Sequence, residues 1–130
     1  MPSKTPAHIK LGKKGEKIAI NFLKAKGFLI LASNFRFKKA EVDIIAKKGH
    51  RLSFIEVKTR TGKGFAHAEN SINKTKQYLY FMAAQEYCKK EAVACPIQFD
   101  VIVIELFYYG KELYYFPDSF YPNPENNFKI

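Results

Sequence analysis

Two neighbouring apolar runs, AEVDIIA (40–46) and RLSFIEVK (51–58), contain charged residues and are joined by the segment KKGH. Each run has the length and alternation of a β-strand, so the sequence predicts an antiparallel hairpin. Glu41, Asp43 and Glu56 fall inside these strands, where an unpaired buried carboxylate is costly. A chain that places three acids there needs a compensating positive charge, and this requirement limits what the hairpin can be for.

Side chains on a strand alternate between its two faces. Glu41 and Asp43 are therefore expected on one face of the first strand, with Val42 and Ile44 on the other. A simple hairpin closed by KKGH places Ala46 opposite Arg51. In this register Glu41 faces Glu56 and Asp43 faces Phe54, so that Asp43 is the diagonal neighbour of Glu56. Diagonal neighbours have backbones about 7–8 Å apart, within joint reach of one small cation.

This arrangement of acids predicts a divalent metal site. Mg²⁺ prefers oxygen ligands and takes one or two carboxylates together with waters and substrate phosphate. Lys58 follows Glu56 on the same strand face and would project toward whatever the metal holds. Two acids, a metal and a lysine are a combination that cleaves phosphodiester bonds, since the metal neutralises phosphate charge and the lysine orients or deprotonates water.

The charge of the chain is unevenly distributed. Residues 1–60 hold 15 Lys and Arg against 4 Asp and Glu, whereas residues 91–130 hold 2 against 6. A one-sided cationic excess suits nucleic acid, although generic solubility charge explains it equally well. Candidates for phosphate contacts cluster around the hairpin ends and the following loop, where a solvated rim would look the same: Arg36, Lys38, Lys39, Lys47, Lys48, Arg51, Arg60 and Lys63.

The remaining pattern predicts one α/β domain, a mixed sheet flanked by helices in the order α-β-β-β-α-β-β. The helices are expected at 13–26 and 71–90, with further strands at 28–37, 97–106 and 112–116, the last forming a hairpin across Gly110 and Lys111. We expect a flexible basic arm at 1–10, the domain at 11–117 and a Pro- and Asn-rich tail at 118–130.

Two helical positions add charges to the apolar layer. Glu16 is in register with Ala19 and Leu23, and Lys76 is in register with Ile72 and Leu79. The helix dipole would explain an acid in a first turn, and a lysine can extend out of a core. Taken together with the hairpin, however, the two residues indicate a polar pocket.

Cys88 and Cys95 form no disulfide framework, and no histidine lies at a zinc-ligand spacing from them. We therefore expect free thiols, a reducing cytoplasmic setting and no zinc. No apolar run approaches transmembrane length, so no membrane is expected as a partner. Asp100 could support the site or be a hydrogen-bonded structural aspartate. The aromatic residues after 106 could stack bases, but cross-strand packing explains them more simply.

The motifs resemble a known family. GKKGEKIAINFLKAKGF (12–28), NFR, AEVDIIA, FIEVKTR, KQ and FDVI occur in the order typical of the YraN-like family of small bacterial proteins, which are similar to archaeal Holliday-junction resolvases. The spacing D-x12-E-V-K resembles the signature of the PD-(D/E)XK nuclease superfamily, whose core is restriction-endonuclease-like. The resemblance covers roughly residues 11 to 105.

The resemblance implies a nuclease that acts on DNA with Mg²⁺ or Mn²⁺, and since junction resolvases tend to act as dimers, a homodimer is compatible with it. It implies that Asp43, Glu56 and the Val57 carbonyl bind the metal and that Lys58 is catalytic. Glu16 would be an auxiliary catalytic acid, and Glu41, Lys76 and Gln77 would complete the pocket or contact phosphate. Two alternatives remain open: a nucleic-acid-binding protein that keeps the fold without turnover, and a structural ion-pair network of Glu41, Glu56, Lys58 and Lys76.

Overall fold

The computed structural model describes residues 7–61 and 71–121. Its elements are α1 Ala7–Ala25, β1 Leu29–Phe37, β2 Ala40–Lys48, β3 Arg51–Thr61, α2 Lys74–Lys90, β4 Ile97–Phe107 and β5 Gly110–Phe120. This order confirms the predicted α/β arrangement. The loop at 62–70, with Lys63, and the end of the tail at 122–130 lie outside the described residues.

The five strands form one mixed sheet in the order β1-β2-β3-β4-β5. Sequential strands pair antiparallel, except that β3 and β4 run parallel. Parallel neighbours need a crossover, and α2 lies in the connection between these two strands. Gln98 to Glu105 are all buried on β4, which lies between β3 and β5 and is an interior strand of the sheet.

The helices pack on opposite faces of the sheet. On the α1 side, Ala19 and Leu23 pack with residues such as Ile44 and Ile102. On the α2 side, a buried cluster joins the helix to the sheet. Its members include Tyr80, Ala83, Val42, Phe54, Phe99 and Val101. This three-layer arrangement buries both faces of the central strands, which explains why β3 and β4 carry near-continuous apolar runs.

The predicted register of the β2–β3 hairpin is wrong by two residues. Lys48, not Ala46, pairs with Arg51. The turn therefore consists of Gly49 and His50 alone, and Gly49 adopts a φ of 63°, a left-handed conformation that glycine reaches without steric cost. A shift of two preserves the strand faces, but it moves Asp43 rather than Glu41 to the position across from Glu56.

The strict alternation predicted for β2 also fails. Val42 packs on the α2 side of the sheet, whereas Ile44 packs on the α1 side. The alternation therefore changes phase at Asp43, and the paired register of β2 with β3 ends at Ile44 and Ile55. An irregularity of this kind re-aims a strand side chain, and here it turns Asp43 toward β3.

Both chain ends hold more regular structure than the pattern indicates. The first helix begins at Ala7, six residues before the predicted start at Lys13 and inside the range expected to be an arm. The last strand runs to Phe120, into the range expected to be a tail. Its hairpin turns at Tyr108 and Tyr109 rather than at Gly110 and Lys111, because Phe107 pairs with Gly110.

Neither described helix is long and apolar enough to cross a membrane. The sulfur atoms of Cys88 and Cys95 are free thiols on half-buried side chains.

Candidate active site

The centre of the site is a pair of carboxyl groups on β2 and β3. Asp43 Oδ2 accepts a hydrogen bond of 2.7 Å from the Val57 backbone N–H. The side chain of Asp43 thus takes the place that a strand carbonyl would occupy in a continued ladder. This bond fixes the Asp43 carboxyl against β3, one residue from Glu56.

Both oxygens of Glu56 have protein partners. The Tyr80 hydroxyl donates a 2.8 Å hydrogen bond to Oε1, and the Lys76 ammonium forms an ion pair with Oε2. Glu56 is 5% exposed, so this compensation matters for its burial. The Tyr80 oxygen also lies 3.3 Å from the Asp43 backbone nitrogen, from which it accepts, and it therefore bridges the two strands that carry the acids.

The first turns of α2 position these two partners. Asn73 caps the helix, since its side-chain oxygen accepts a 2.8 Å bond from the Lys76 N–H. Lys76 and Tyr80 are four residues apart and so lie on one face of the helix. The cap fixes the start of the helix, and the helix period then directs both polar groups at Glu56.

The electrostatics of the pair favour one bound proton. Burial, followed by the charge of Glu56 and a hydrogen bond with its carboxyl, raises the pKa of Asp43 to about 9. The Val57 N–H opposes this shift, and the charge of Glu16 adds to it. The Lys76 ammonium pairs with Glu56, so we place the proton of the pair on Asp43 at neutral pH. Two neighbouring carboxyl groups can both be ionised when a further cation binds beside them.

A third acid reaches the site from α1. Burial raises the pKa of Glu16, a hydrogen bond from Asn34 lowers it, and the charges of Glu41 and Glu56 raise it further. Glu16 lies in the third turn of α1 and not in the first, so the dipole explanation for an acid at this position is wrong. Its place in the helix and the raised pKa agree with the polar pocket that the sequence predicts.

Close contact between α1 and β3 brings Glu16 to the sheet. A Cβ atom at Gly15 would lie 1.7 Å from the Thr59 Oγ1 atom. No residue other than glycine allows the helix backbone to approach Thr59 this closely. Gly15 is therefore the reason that the neighbouring Glu16 can face the carboxyl pair.

Two predicted pocket residues make contacts at the approach to α2. The Lys58 ammonium donates to the Ser71 carbonyl, and the Gln77 amide donates a 2.8 Å bond to the Ile72 carbonyl. Both therefore lie beside the segment that leads into the Asn73 cap.

Some of the predicted residues form ion pairs with partners other than Asp43 and Glu56. Glu41 forms an exposed ion pair of 2.7 Å with Arg36, so these two contact each other. Arg60 Nε lies 4.0 Å from the buried Glu105. Five further predicted cations have exposed side chains: Lys38, Lys39, Lys47, Lys48 and Arg51. Lys63 lies outside the described residues.

Tyr80, which contacts both strands of the pair, is not singled out by the sequence pattern. The available signal was its place four residues after Lys76, but a tyrosine on an apolar helix stripe is usually a core residue. Asp100 is fully buried and accepts bonds from Gln98 Nε2, the Tyr115 hydroxyl and the Asp118 N–H, which fits the structural alternative.

The donor set suits a small hard cation. Within the described ranges, no three or more His, Cys, Asp or Glu residues are grouped to hold a metal. Asp43 and Glu56 nevertheless supply two carboxylates at one point, and Mg²⁺ or Mn²⁺ completes its coordination with water and substrate oxygens. The residues therefore fit a divalent ion held by Asp43, Glu56 and a backbone carbonyl such as that of Val57.

The fold and site define the class of this protein: an α/β protein whose mixed sheet presents two carboxyl groups in contact, one of which is paired with a lysine. The chain belongs to the Uncharacterised protein family UPF0102, whose family model matches residues 15–104. The predicted YraN-like family is thereby confirmed. The matched range includes Glu16, Asp43, Glu56, Lys58 and Lys76.

Relatives from several bacteria support this membership. The chain is 46% identical to a UPF0102 protein of Thermodesulfovibrio yellowstonii over 75% of its own length and 88% of that protein. It is 41% identical to one of Koribacter versatilis, over 78% and 72% of the two chains. It is 35% identical to one of Christiangramia forsetii, over 88% and 96%.

Proposed function

We propose that this protein is a divalent-metal-dependent nuclease that hydrolyses DNA phosphodiester bonds, with a restriction-endonuclease-like core of the resolvase-like class. The observation that supports this proposal most is the contact between the carboxyl groups of Asp43 and Glu56. Their mutual repulsion is relieved by one proton or by one cation. Lys58 lies on the strand of Glu56, two residues further on.

Each residue of the site has a role in this proposal. Asp43 and Glu56 would hold Mg²⁺ or Mn²⁺, which supplies Lewis-acid chemistry at the scissile phosphate when bound. Lys58 orients the attacking water or accepts its proton. Glu16 is the auxiliary acid. Lys76 is positioned to pair with a phosphate oxygen once its contact with Glu56 weakens.

A cleavage assay tests the proposal. Purified protein with Mg²⁺ or Mn²⁺ should nick branched or single-stranded DNA. Asp43→Ala and Lys58→Ala should each lower the rate by at least about 100-fold, the scale of losses seen when a catalytic proton-transfer group is removed. Glu91→Gln, which removes an exposed acid at the C-cap of α2, is the matched control and should cleave normally. Cleavage that persists in both site variants would refute the nuclease.

One observation favours a second candidate, a nucleic-acid-binding protein without turnover. Lys76 and Tyr80 already occupy both oxygens of Glu56, so the protein itself compensates that charge. This candidate predicts that DNA binding is independent of metal and persists, or tightens, in an Asp43→Asn variant. Comparing the metal dependence of binding with that of cleavage separates the two candidates.

The Lys76–Glu56 pair also belongs to the structural ion-pair alternative. If the pair stabilises the fold alone, Glu56→Gln should be strongly destabilising, because it breaks a partly buried pair. If the pair is a cation site, the same substitution removes repulsion once Asp43 is ionised, so above about pH 9 the metal-free variant should be as stable as wild type or more so. Urea unfolding of the variant in EDTA measures the difference.

A further inference from the structure

A second polar cleft lies at the turn end of the β2–β3 hairpin, away from the carboxyl pair. Its volume is about 290 Å³, which is close to the lower limit of typical small-ligand sites. Arg51, one of its lining residues, precedes Glu56 by five positions, so the two are roughly 16 Å apart along β3. The cleft is therefore separate from the candidate active site.

The mouth of the cleft is cationic. Lys48, His50 and Arg51 come together at the two-residue turn, and all three side chains are exposed. None of the described residues that line the cleft is an acid. This arrangement favours an anion, and a guanidinium beside an ammonium is well suited to phosphate.

The floor of the cleft is preformed. Ser53 and Gln98 are adjacent in the parallel register of β3 and β4, and both are buried. The Leu52 N–H donates a 2.9 Å bond to the Pro96 carbonyl, which fixes the rim. Gln98 Nε2 donates to Asp100, the acid behind the floor, which also accepts hydrogen bonds from the Tyr115 hydroxyl and the Asp118 N–H.

One wall of the cleft is apolar. Phe28 and Pro96 line it, and the Lys48 ammonium lies 5.3 Å from the centroid of the Phe28 ring. An apolar wall next to a cationic mouth matches a ligand that carries a phosphate on a ring-bearing body. Inorganic phosphate alone would leave the wall unused.

We propose that this cleft binds a nucleotide through its phosphate, with Lys48 and Arg51 on the phosphate and Phe28 and Pro96 against the sugar or base. The inference rests on the proposed function for its biological ligand and deepens it by adding a phosphate contact remote from the cleavage site. The same chemistry is offered by a free mononucleotide and by the terminal phosphate of a strand.

Calorimetric titration of the full chain in EDTA tests the cleft without catalysis. 5′-AMP should bind saturably at one site, and adenosine should bind at least about tenfold more weakly. The double variant Lys48→Gln/Arg51→Gln should lose at least about tenfold in affinity for 5′-AMP. Lys89→Gln/Lys90→Gln removes the same charge from exposed positions at the end of α2 and should stay within about twofold of wild type.

Two oligothymidylates of equal length, one with a 5′-phosphate and one with a 5′-hydroxyl, distinguish the sources. If the protein prefers the phosphorylated strand and the preference disappears in Lys48→Gln/Arg51→Gln, the ligand of the cleft is a strand end. If it binds 5′-AMP without that preference, the ligand is a free nucleotide. Equal affinity for 5′-AMP and adenosine, or equal losses of 5′-AMP affinity in the two double variants, would overturn the proposal that the cleft binds a nucleotide. If the protein binds 5′-AMP in a phosphate-dependent way but cleaves no DNA, the nucleotide-binding cleft is supported and the proposed nuclease activity is refuted.

Discussion

Asp43 is an acid whose surroundings in the folded chain favour the protonated form. Burial and the neighbouring Glu56 act in the same direction, and the bond from the Val57 N–H only partly opposes them. In the unfolded chain the same carboxyl titrates near its ordinary pKa of 3.8. Between these two values folding takes up a proton, so the stability of the metal-free protein depends on pH.

The sign of this dependence follows from the raised pKa. The contribution of Asp43 to stability is fully present below about pH 4 and is lost as pH rises to about 9, where the folded group ionises. The slope for one proton is at most about 1.4 kcal/mol per pH unit. Asp43→Asn carries no such proton, so its free energy of unfolding should be flatter between pH 5 and pH 8.

Urea unfolding of both proteins in EDTA at four pH values measures the two slopes. Parallel profiles for wild type and Asp43→Asn would show that Asp43 titrates normally, contrary to the raised pKa.

The convergence of Asp43 and Glu56 could be predicted from the sequence because both acids lie on strands that are joined by one short turn, but the phase change at Asp43, and not strict alternation, directs the Asp43 side chain at β3. The partner that faces Glu56 could not, because it depends on whether the turn holds two residues or four. The role of Tyr80 could not be predicted either, because a tyrosine on an apolar helix face is usually a core residue. Only the structure shows that its hydroxyl contacts Glu56 and the Asp43 N–H.

At the scale of elements, the contact between α1 and β3 decides whether Glu16 reaches the site. Two glycines of α1 differ sharply in their surroundings. Gly15 packs against Thr59, whereas a Cβ at Gly12 would meet nothing within 4 Å.

Gly15→Ala should therefore destabilise the protein by about 1–3 kcal/mol, the usual cost of overpacking. Gly12→Ala is the matched control and should be neutral or stabilising by up to about 1 kcal/mol, because alanine is the better helix former. Thermal or urea unfolding of the two variants gives the comparison. Equal effects from both substitutions would mean that α1 does not pack closely on β3.

All seven elements could be predicted, some from an apolar period and β4 from its continuous apolar run. Their ends were less predictable for physical reasons. In the first turns of α1, Ala7, Ile9 and Leu11 alternate with polar residues and so give no helical period, although Pro6 just before Ala7 is compatible with a helix start. The phase change at Asp43 has no signature in composition, because the strand remains apolar on both sides of it.

At the scale of the whole molecule, the cations lie mainly in the first 60 residues, which form α1 and the β1–β3 meander. Both carboxyl groups of the candidate active site, and Lys48 and Arg51 of the cationic cleft, belong to this half of the chain. Phosphate contacts there would release counterions from DNA.

The affinity for DNA should consequently fall steeply with salt, by about 100-fold or more between 50 and 200 mM if several phosphates are contacted. Fluorescence anisotropy with labelled DNA in EDTA, at a series of salt concentrations, measures the slope. An affinity that is insensitive to salt would show that the basic half is not the binding surface.

Mn²⁺ titration of the full chain at pH 7 tests the central claim that Asp43 and Glu56 form a cation site. Wild type should bind one ion saturably, and Asp43→Asn and Glu56→Gln should each bind at least about tenfold more weakly, while the control Glu91→Gln should bind like wild type. Binding should also release close to one proton, visible as a difference in heat between two buffers, because Asp43 must ionise. Absence of saturable Mn²⁺ binding, or equal Mn²⁺ affinity in all four proteins, would show that Asp43 and Glu56 do not form a cation site.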